Sequence, residues 1–465
     1  MHHSTAQAPL RFEVRRTLEL AAPVMIGLVA SFAMNFIDTV MAGRLPEKEV
    51  ALAALATGGA LWSAGLMVVI GVLMAVQPSV AQLDGAGRRQ DAAAVARQGF
   101  WLALSLALPF FLLVRYGAAV LRALDVDPAI VPVADGYLQA LSFGAPVICL
   151  VMLLRFFSEG TGHTKPTMYI GLAGALLNIP FNWVLMYGHL GFPALGAVGC
   201  GYATSAVFAL QALGFFLYLR RHPHYRPYGL FARWDWADTA ELRVLLVIGL
   251  PIAGTLFVEG SLFMAASLLI GRLGATPTAS HLIAINFSAL VFMIPLGLGS
   301  AVTTRVGNAL GRSDPAGARH AGLVGGGIVL FTQSFSATMM LLIATATAEI
   351  YTSDAGIAAL AIELLALAAI FQLPDGIQIC MAGILRGYKD TLVPMLVNVL
   401  SYWLVGLSLG YWLTFTRGLG PAGMWWGMIA GLTVGAVLLT ARFLWRSAAA
   451  IRAEEGLSAD PVRGP

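Results

Sequence analysis

AGTLFVEGSLFMAASLLIG, residues 253–271, carries a single charged side chain, Glu259. A helix needs about 20 residues of this kind to cross a hydrocarbon layer about 30 Å thick. Two other stretches follow the same pattern: SFAMNFIDTVMAG (31–43) around Asp38, and ALAAIFQLPDGIQICMAGIL (366–385) around Asp375. An ionised group in the hydrocarbon core costs roughly 2.5–3.5 kcal/mol on insertion scales, so such groups face a bundle interior or a water-lined path. The three acids are therefore the first candidates for handling cations or protons.

The rest of the chain fits this membrane reading. Of its 465 residues, 58% are hydrophobic and 11% charged, where a soluble chain would carry about 25% charged. Lipid offers the backbone no hydrogen bonds, so only helices or closed barrels span it, and the ten-residue alternation of a barrel is missing. An all-α polytopic membrane protein is expected. Met1–Leu20 is polar and basic and the first apolar run is span-length, which argues against a cleavable signal peptide. Cys149, Cys200 and Cys380 fall in apolar segments without metal or disulfide spacing and read as small packing residues.

Twelve spans are predicted, near 18–42, 51–82, 92–116, 132–158, 166–188, 195–219, 242–271, 277–306, 317–346, 356–385, 391–415 and 420–446. With the N-terminus inside, 22 Lys and Arg fall on the inner side and 6 on the outer, together the 28 of the chain. Cytoplasmic segments carry the excess of Lys and Arg, so both termini are expected in the cytoplasm. The same asymmetry explains the pI of about 9.0 without a nucleic-acid partner.

The halves echo each other at an offset of about 226–228 residues. Pro23 and Gly43-Arg44-Leu45 recur as Pro251 and Gly271-Arg272-Leu273; Gly160, Thr164 and Met168 recur as Gly387, Thr391 and Met395. Six spans per half is an even number, so both halves enter the membrane the same way up, as a parallel repeat. The expected fold is two six-helix lobes around a central cleft. Its parts are a cytoplasmic segment 1–17, an N-lobe 18–219, a basic connector 220–241 containing RRHPHYRPYGLFARWDW (220–236), a C-lobe 242–446 and a cytoplasmic tail 447–465.

Six segments in order resemble the multidrug and toxic compound extrusion (MATE) transporters, and most the NorM-like bacterial branch. They are PVMIGLVASFAMNFIDTVMAGRL (23–45), QPSVAQLDGAGRRQDA (77–92), FSEGTGHTKPTM (157–168), NIPFNWVLMYG (178–188), TTRVGNALGRSDPAGAR (303–319) and LPDGIQICMAGILRGYKDT (373–391). The resemblance spans residues 15–446. It implies secondary efflux of cationic amphipathic compounds in exchange for Na⁺ or H⁺, with no cofactor beyond the coupling ion and no enzyme activity.

The resemblance also implies site residues. In the C-lobe, Glu259 and Asp375 would bind the coupling ion, Na⁺ among the candidates; Gln378, three residues on, lies near the same helical face. In the N-lobe, Asp38 would join Asn178, Asn182 and Thr204. Asn178 and Asn182 are four apart and share a face; they serve either as ligands or as hydrogen bonds between spans, and Asp38 alternatively sits near the outer interface. Position 182 is Asn where the DinF-like branch carries an acid. Position 371 is Phe where NorM-like proteins often carry Tyr, which removes a hydroxyl, although a phenyl face still attracts a cation. Glu363 reads as a snorkelling or rim residue. Phe32, Met34, Phe36, Phe257, Phe263, Met264, Phe287, Met293 and Phe371 are candidates for an adaptable substrate surface, or for lipid-facing and core positions.

The glycine-rich turns LDGAGRRQD and LGRSDPAGAR do not match the P-loop pattern, and no catalytic triad, HExxH or Cys/His cluster is visible; His189 and His281 stand isolated. Two other functions compete. A flippase for a lipid-linked pyrophosphate would need deep cationic groups, whereas the deep charges here are acidic. A membrane enzyme would need a nucleophile or metal cluster. The expected partners are small organic cations and membrane lipids, and nothing calls for an oligomer.

Overall fold

A computed structural model describes residues 9–458. The outermost parts of the expected N-terminal segment (1–8) and tail (459–465), with Arg463 of the charge count, lie outside the described residues.

The first half comprises α1 (Leu10–Ala42), α2 (Lys48–Leu73), α3 (Val76–Gly85), α4 (Arg89–Arg115), the short α5 (Gly117–Ala123), α6 (Val131–Ser142), α7 (Gly144–Gly160), α8 (Lys165–Tyr187) and α9 (Ala197–Arg221). The second comprises α10 (Thr239–Gly271), α11 (Ala275–Gly311), α12 (Pro315–Tyr351), α13 (Ala355–Gly387), α14 (Leu392–Val399), α15 (Ser408–Tyr411) and α16 (Gly420–Ser458). Two π-helical stretches, Leu400–Leu407 and Trp412–Thr416, make α14 and α15 one continuous span. Among the described residues, eleven helices are long and apolar enough to span, and α6 with α7 makes a twelfth bent by 47°. The bend has a local cause. Pro146 has no N–H for the carbonyl of Ser142, and just before it the Ser205 hydroxyl donates to Ala140 O at 3.0 Å and Leu141 O at 3.4 Å.

The chain divides into two compact units. One holds residues 23–84 and 88–253; the other holds the residues up to Ala22, 85–87 and those from Gly254 onward. The division cuts α1 at Pro23 and α10 after Ala253, where the boundaries read from the sequence left both helices whole. Contacts within each unit explain it. Glu13 on the first turns of α1 forms a two-pronged ion pair with Arg305 of α11, at 2.5 and 3.2 Å, with side chains 7% and 14% exposed. The first half of α10 lies against α2, where a Cβ on Gly249 would meet Val72 O at 2.4 Å.

Glycine stripes set a close helix approach in the second unit. Gly423, Gly427, Gly431 and Gly435 recur every four residues on α16. Gly423 meets the backbone of Leu413 and Thr414, Gly427 and Gly431 face Gly406, Gly410 and the carbonyl of Ser401, and Gly435 faces the Ser401 side chain; a Cβ on Gly427 would lie 2.2 Å from Gly410 Cα. Small residues let backbones meet where dispersion and weak polar contacts, not hydrophobicity, drive association.

The basic connector is fastened to the first unit. Arg97 of α4 pairs with Asp235 at 2.5 Å, Gln98 donates to Trp236 O and accepts from Asp238 N, and Trp101 Nε1 donates to Asp235 O. Tyr228 donates to Asp84, and His163 packs 4.8 Å from the rings of both His222 and His224.

Candidate functional site

In the first unit, Asp38 on α1 is 8% exposed, so it is buried within the unit. Asn182 Nδ2 on α8 donates to Asp38 Oδ1 at 2.6 Å and to Asn178 Oδ1 at 3.1 Å; Thr204 Oγ1 on α9 donates to Asp38 Oδ2 at 3.4 Å. The four residues named from the sequence come together. The carbonyl oxygen of Asn182 is buried without a partner among the described residues, which leaves an acceptor beside the carboxylate. Such a set of oxygens suits a hard cation or a proton on Asp38. The Cys200 thiol also faces Asp38, a contact that the cysteine's apolar surroundings in the sequence concealed.

In the second unit, Glu259 on α10 is 7% exposed and Asp375 on α13 is 2% exposed. The two carboxylates lie within electrostatic reach of each other, and Arg386 within reach of Glu259. Asp375 Oδ1 is buried with no hydrogen-bond partner among the described residues. Gln378 is fully buried and accepts from the Tyr402 hydroxyl. Tyr402, from the π-helical stretch, stands in the field of both acids; a phenolic oxygen therefore reaches this region from a different helix, while Phe371 contributes none. Sequence reasoning missed Tyr402 because SYWLVG reads as uniform apolar span. It also missed the Gln333–Gln372 pair at 3.0 Å, although two Gln in apolar helices are a visible signal. Two acids form a smaller donor set than a metal cluster: among the described residues no group of three or more His, Cys, Asp or Glu could hold a metal ion.

The aromatic and Met candidates separate. Phe36, Phe257 and Met264 are 65%, 56% and 59% exposed; Phe36 lines a groove of about 550 Å³ between α1 and α8 with Trp183, Tyr187 and Arg44. Phe32, Phe287 and Met293 are half-buried. Met34 is buried against Ala30, Ala175 and Val207. Phe371 is 3% exposed and packs edge-on against Phe263 and Trp425, at 6.0 and 5.7 Å. Glu363 is exposed. Among the isolated histidines, His281 meets Ser267 Oγ at 3.0 Å and the Trp425 ring, and His189 stacks on Trp183 at 3.8 Å.

A helical membrane bundle with a carboxylate-centred polar site in each of two repeated units has the layout of a transporter, and comparison with known proteins agrees. The MatE family matches residues 23–184 and again 251–412, the second match displaced by 228 residues from the first. The chain is 44% identical to a probable multidrug resistance protein NorM of Xanthomonas campestris pv. campestris, over 95% of this chain and 96% of that protein. It is 40% identical to the multidrug resistance protein PmpM of Pseudomonas aeruginosa, over 96% and 94%. A crystal structure of MATE in the straight conformation shares the fold with TM-score 0.87 at 20% identity, covering 95% of this chain and 97% of that one. A eukaryotic MATE transporter, AtDTX14, does so with TM-score 0.84 at 19% identity, covering 96% and 99%. This chain belongs to the MatE family, on its NorM-like side.

The duplication does not extend to the acids. At the 228-residue displacement, Asp38 corresponds to Ala266, Glu259 to Ser31 and Asp375 to Val147. The units share a fold but carry different sites.

Proposed function

We propose that this chain is a secondary exporter that moves cationic amphipathic compounds out of the cell as Na⁺ or H⁺ enters. The observation that carries the reading is Asp375: a deeply buried carboxylate beside Glu259, with an oxygen that no group among the described residues satisfies. A buried acid without a counter-charge favours its protonated form, and a nearby cation favours the ionised form. Proton, Na⁺ and organic cation thus compete for one negative site. Competition becomes coupling when each occupant stabilises a different conformation. Asp38 with Asn178, Asn182 and Thr204 forms a second such position, and the exposed Phe36, Phe257 and Met264 supply adaptable apolar surface. The names of the relatives, multidrug resistance proteins, support the substrate class.

The test is ethidium efflux in vesicles. Glu259→Gln and Asp375→Asn are expected to abolish ion-driven efflux while the protein still inserts; full efflux by both would refute the reading. Counterflow of one dye under separately imposed sodium and proton gradients identifies the coupling ion. The membrane spans and the bacterial relatives support placement in a bacterial inner membrane, and the excess of Lys and Arg on one side supports cytoplasmic termini. Reporter fusions at residues 9 and 458, active only in the periplasm, should both be silent.

A further inference from the structure

Asp375 does not end the run of unsatisfied polarity in the second unit. Among the described residues Gln378 Nε2, Ser401 Oγ and both amide atoms of Asn398 are buried without a hydrogen-bond partner, and all three residues are 0% exposed. Leaving such a group unpaired costs about 1–3 kcal/mol, and Asn398 alone leaves its whole amide unpaired.

The groups are arranged in order. Asp375 lies 12 residues before the end of α13 at Gly387, about 18 Å along the axis at ~1.5 Å per residue, and Gln378 about 13 Å. On the next span, which rises from Leu392, Ser401 is about 13 Å and Asn398 about 9 Å from the start. Gln378 and Ser401 meet at the same level. Both face Gly435 of α16, where a Cβ would lie 3.4 Å from Ser401 Oγ and 3.6 Å from Gln378 Cγ. The neighbouring Tyr402 hydroxyl donates to Gln378. Asn398 is three residues before Ser401 and four before Tyr402, hence on their helical face. The π-helical stretch begins at Leu400, and such widened turns recur at functional sites. Gly435 brings no side chain to the opposite wall.

We propose that Gln378, Ser401 and Asn398 line a hydrated path for H⁺ or Na⁺ between the acid pair and the membrane face that carries the α13–α14 turn, residues 388–391. This rests on the coupling reading of Glu259 and Asp375, and it adds the route by which the ion leaves them for the cytoplasm. The chemistry suits transit rather than capture. Amide and hydroxyl groups both donate and accept, so they can order water for proton transfer or replace part of a sodium ion's hydration shell, and none of the three carries a charge that would hold the ion.

The experiment compares coupled flux with equilibrium occupancy in Asn398→Leu, Asn398→Ser and Ser401→Ala. Flux is dye efflux from proteoliposomes under an imposed gradient. Occupancy is carbodiimide labelling of the buried carboxyls against pH and Na⁺, read by mass spectrometry. Replacing an unpaired buried amide by a group of equal volume is neutral or stabilising, so Asn398→Leu should fold. Its flux should fall about tenfold, the effect of losing one ~1.4 kcal/mol stabilisation along the route, with the labelling midpoint unchanged; Asn398→Ser should recover most of the flux. Wild-type flux in both Asn398→Leu and Ser401→Ala overturns the path. A shifted labelling midpoint in these variants also overturns it, because the residues would then belong to the ion site. Failure of the underlying reading looks different: Glu259→Gln and Asp375→Asn would both retain full coupled efflux.

Discussion

Gly427→Ala should unfasten the span that carries Tyr402, Ser401 and Asn398. The added Cβ would sit 2.2 Å from Gly410 Cα, 2.3 Å from Gly410 N and 2.6 Å from Gly406 O. Carbon atoms pack at about 3.5–4.0 Å, and every obstructing atom is backbone, so no side chain can swing aside. The π-helical span and α16 must separate by about 1.3 Å or more. Overpacking of this kind costs about 1–3 kcal/mol, and a backbone-on-backbone clash belongs at the upper end. For a cooperative unit of about 200 residues each kcal/mol is worth roughly 2–4 °C, so a cost near 3 kcal/mol lowers the midpoint by about 6–12 °C. The assay is thermal unfolding in detergent with a thiol-reactive dye, since Cys149, Cys200 and Cys380 are free and buried. Gly59→Ala on α2 is the control: a Cβ there meets nothing within 4 Å, and exchanging Gly for Ala in a helix gains up to about 1 kcal/mol. Drug efflux should fall in the first variant and hold in the second. A Gly427→Ala protein that melts with the wild type refutes the close-packing argument.

Three further outcomes are expected. Glu13→Gln leaves Arg305 half-paired in a nearly buried site and should cost about 3 kcal/mol; Glu13→Gln with Arg305→Met should recover part of it in thermal unfolding, and strict additivity would show that the two residues do not interact. Asn182→Leu removes the 2.6 Å donor to Asp38, whereas Thr204→Val removes one at 3.4 Å; dye efflux should drop about tenfold in the first and under about threefold in the second, and the reverse order would displace Asn182 from its role. Burial, and then the neighbouring His224 and His222, draw the His163 pKa down from 6.5 to about 4. The folded state therefore binds fewer protons than the unfolded one, so the packing of the connector is unaffected above about pH 6.5 and weakens as pH falls from there towards 4. Hydrogen exchange of residues 218–230, corrected for intrinsic rate, should rise between pH 7 and pH 5 in the wild type and less in His163→Gln.

The residues differ in how far the sequence could place them. Asp38, Glu259 and Asp375 stand out because each is charged within a span, and the cost of that in hydrocarbon is independent of the fold. Asn178, Asn182 and Thr204 could be grouped with Asp38 by helical spacing and family resemblance, and the structure joins them. Tyr402, Ser401 and Asn398 could not, because neutral polar residues are cheap enough in a span to pass as structural. The boundaries of the lobes were hidden for another reason: a helix continuous in sequence can pack its two halves in different units, as α1 and α10 do on either side of Pro23 and Ala253.

By itself the sequence determined the spans, the duplication and the stranded acids, since a hydrocarbon solvent constrains each stretch of chain locally through backbone satisfaction and the cost of charge. Only the tertiary structure decided that Asn182 holds Asp38, that Tyr402 supplies the hydroxyl beside Gln378 while Phe371 packs into aromatic core, and that Asn398 and Ser401 continue the polarity beyond Asp375. These depend on how each helix is rotated and how closely its neighbour approaches. In lipid that is set by glycine-to-backbone contact between segments distant in sequence, and Gly406, Gly410, Gly427 and Gly431 acquire that meaning only once they meet.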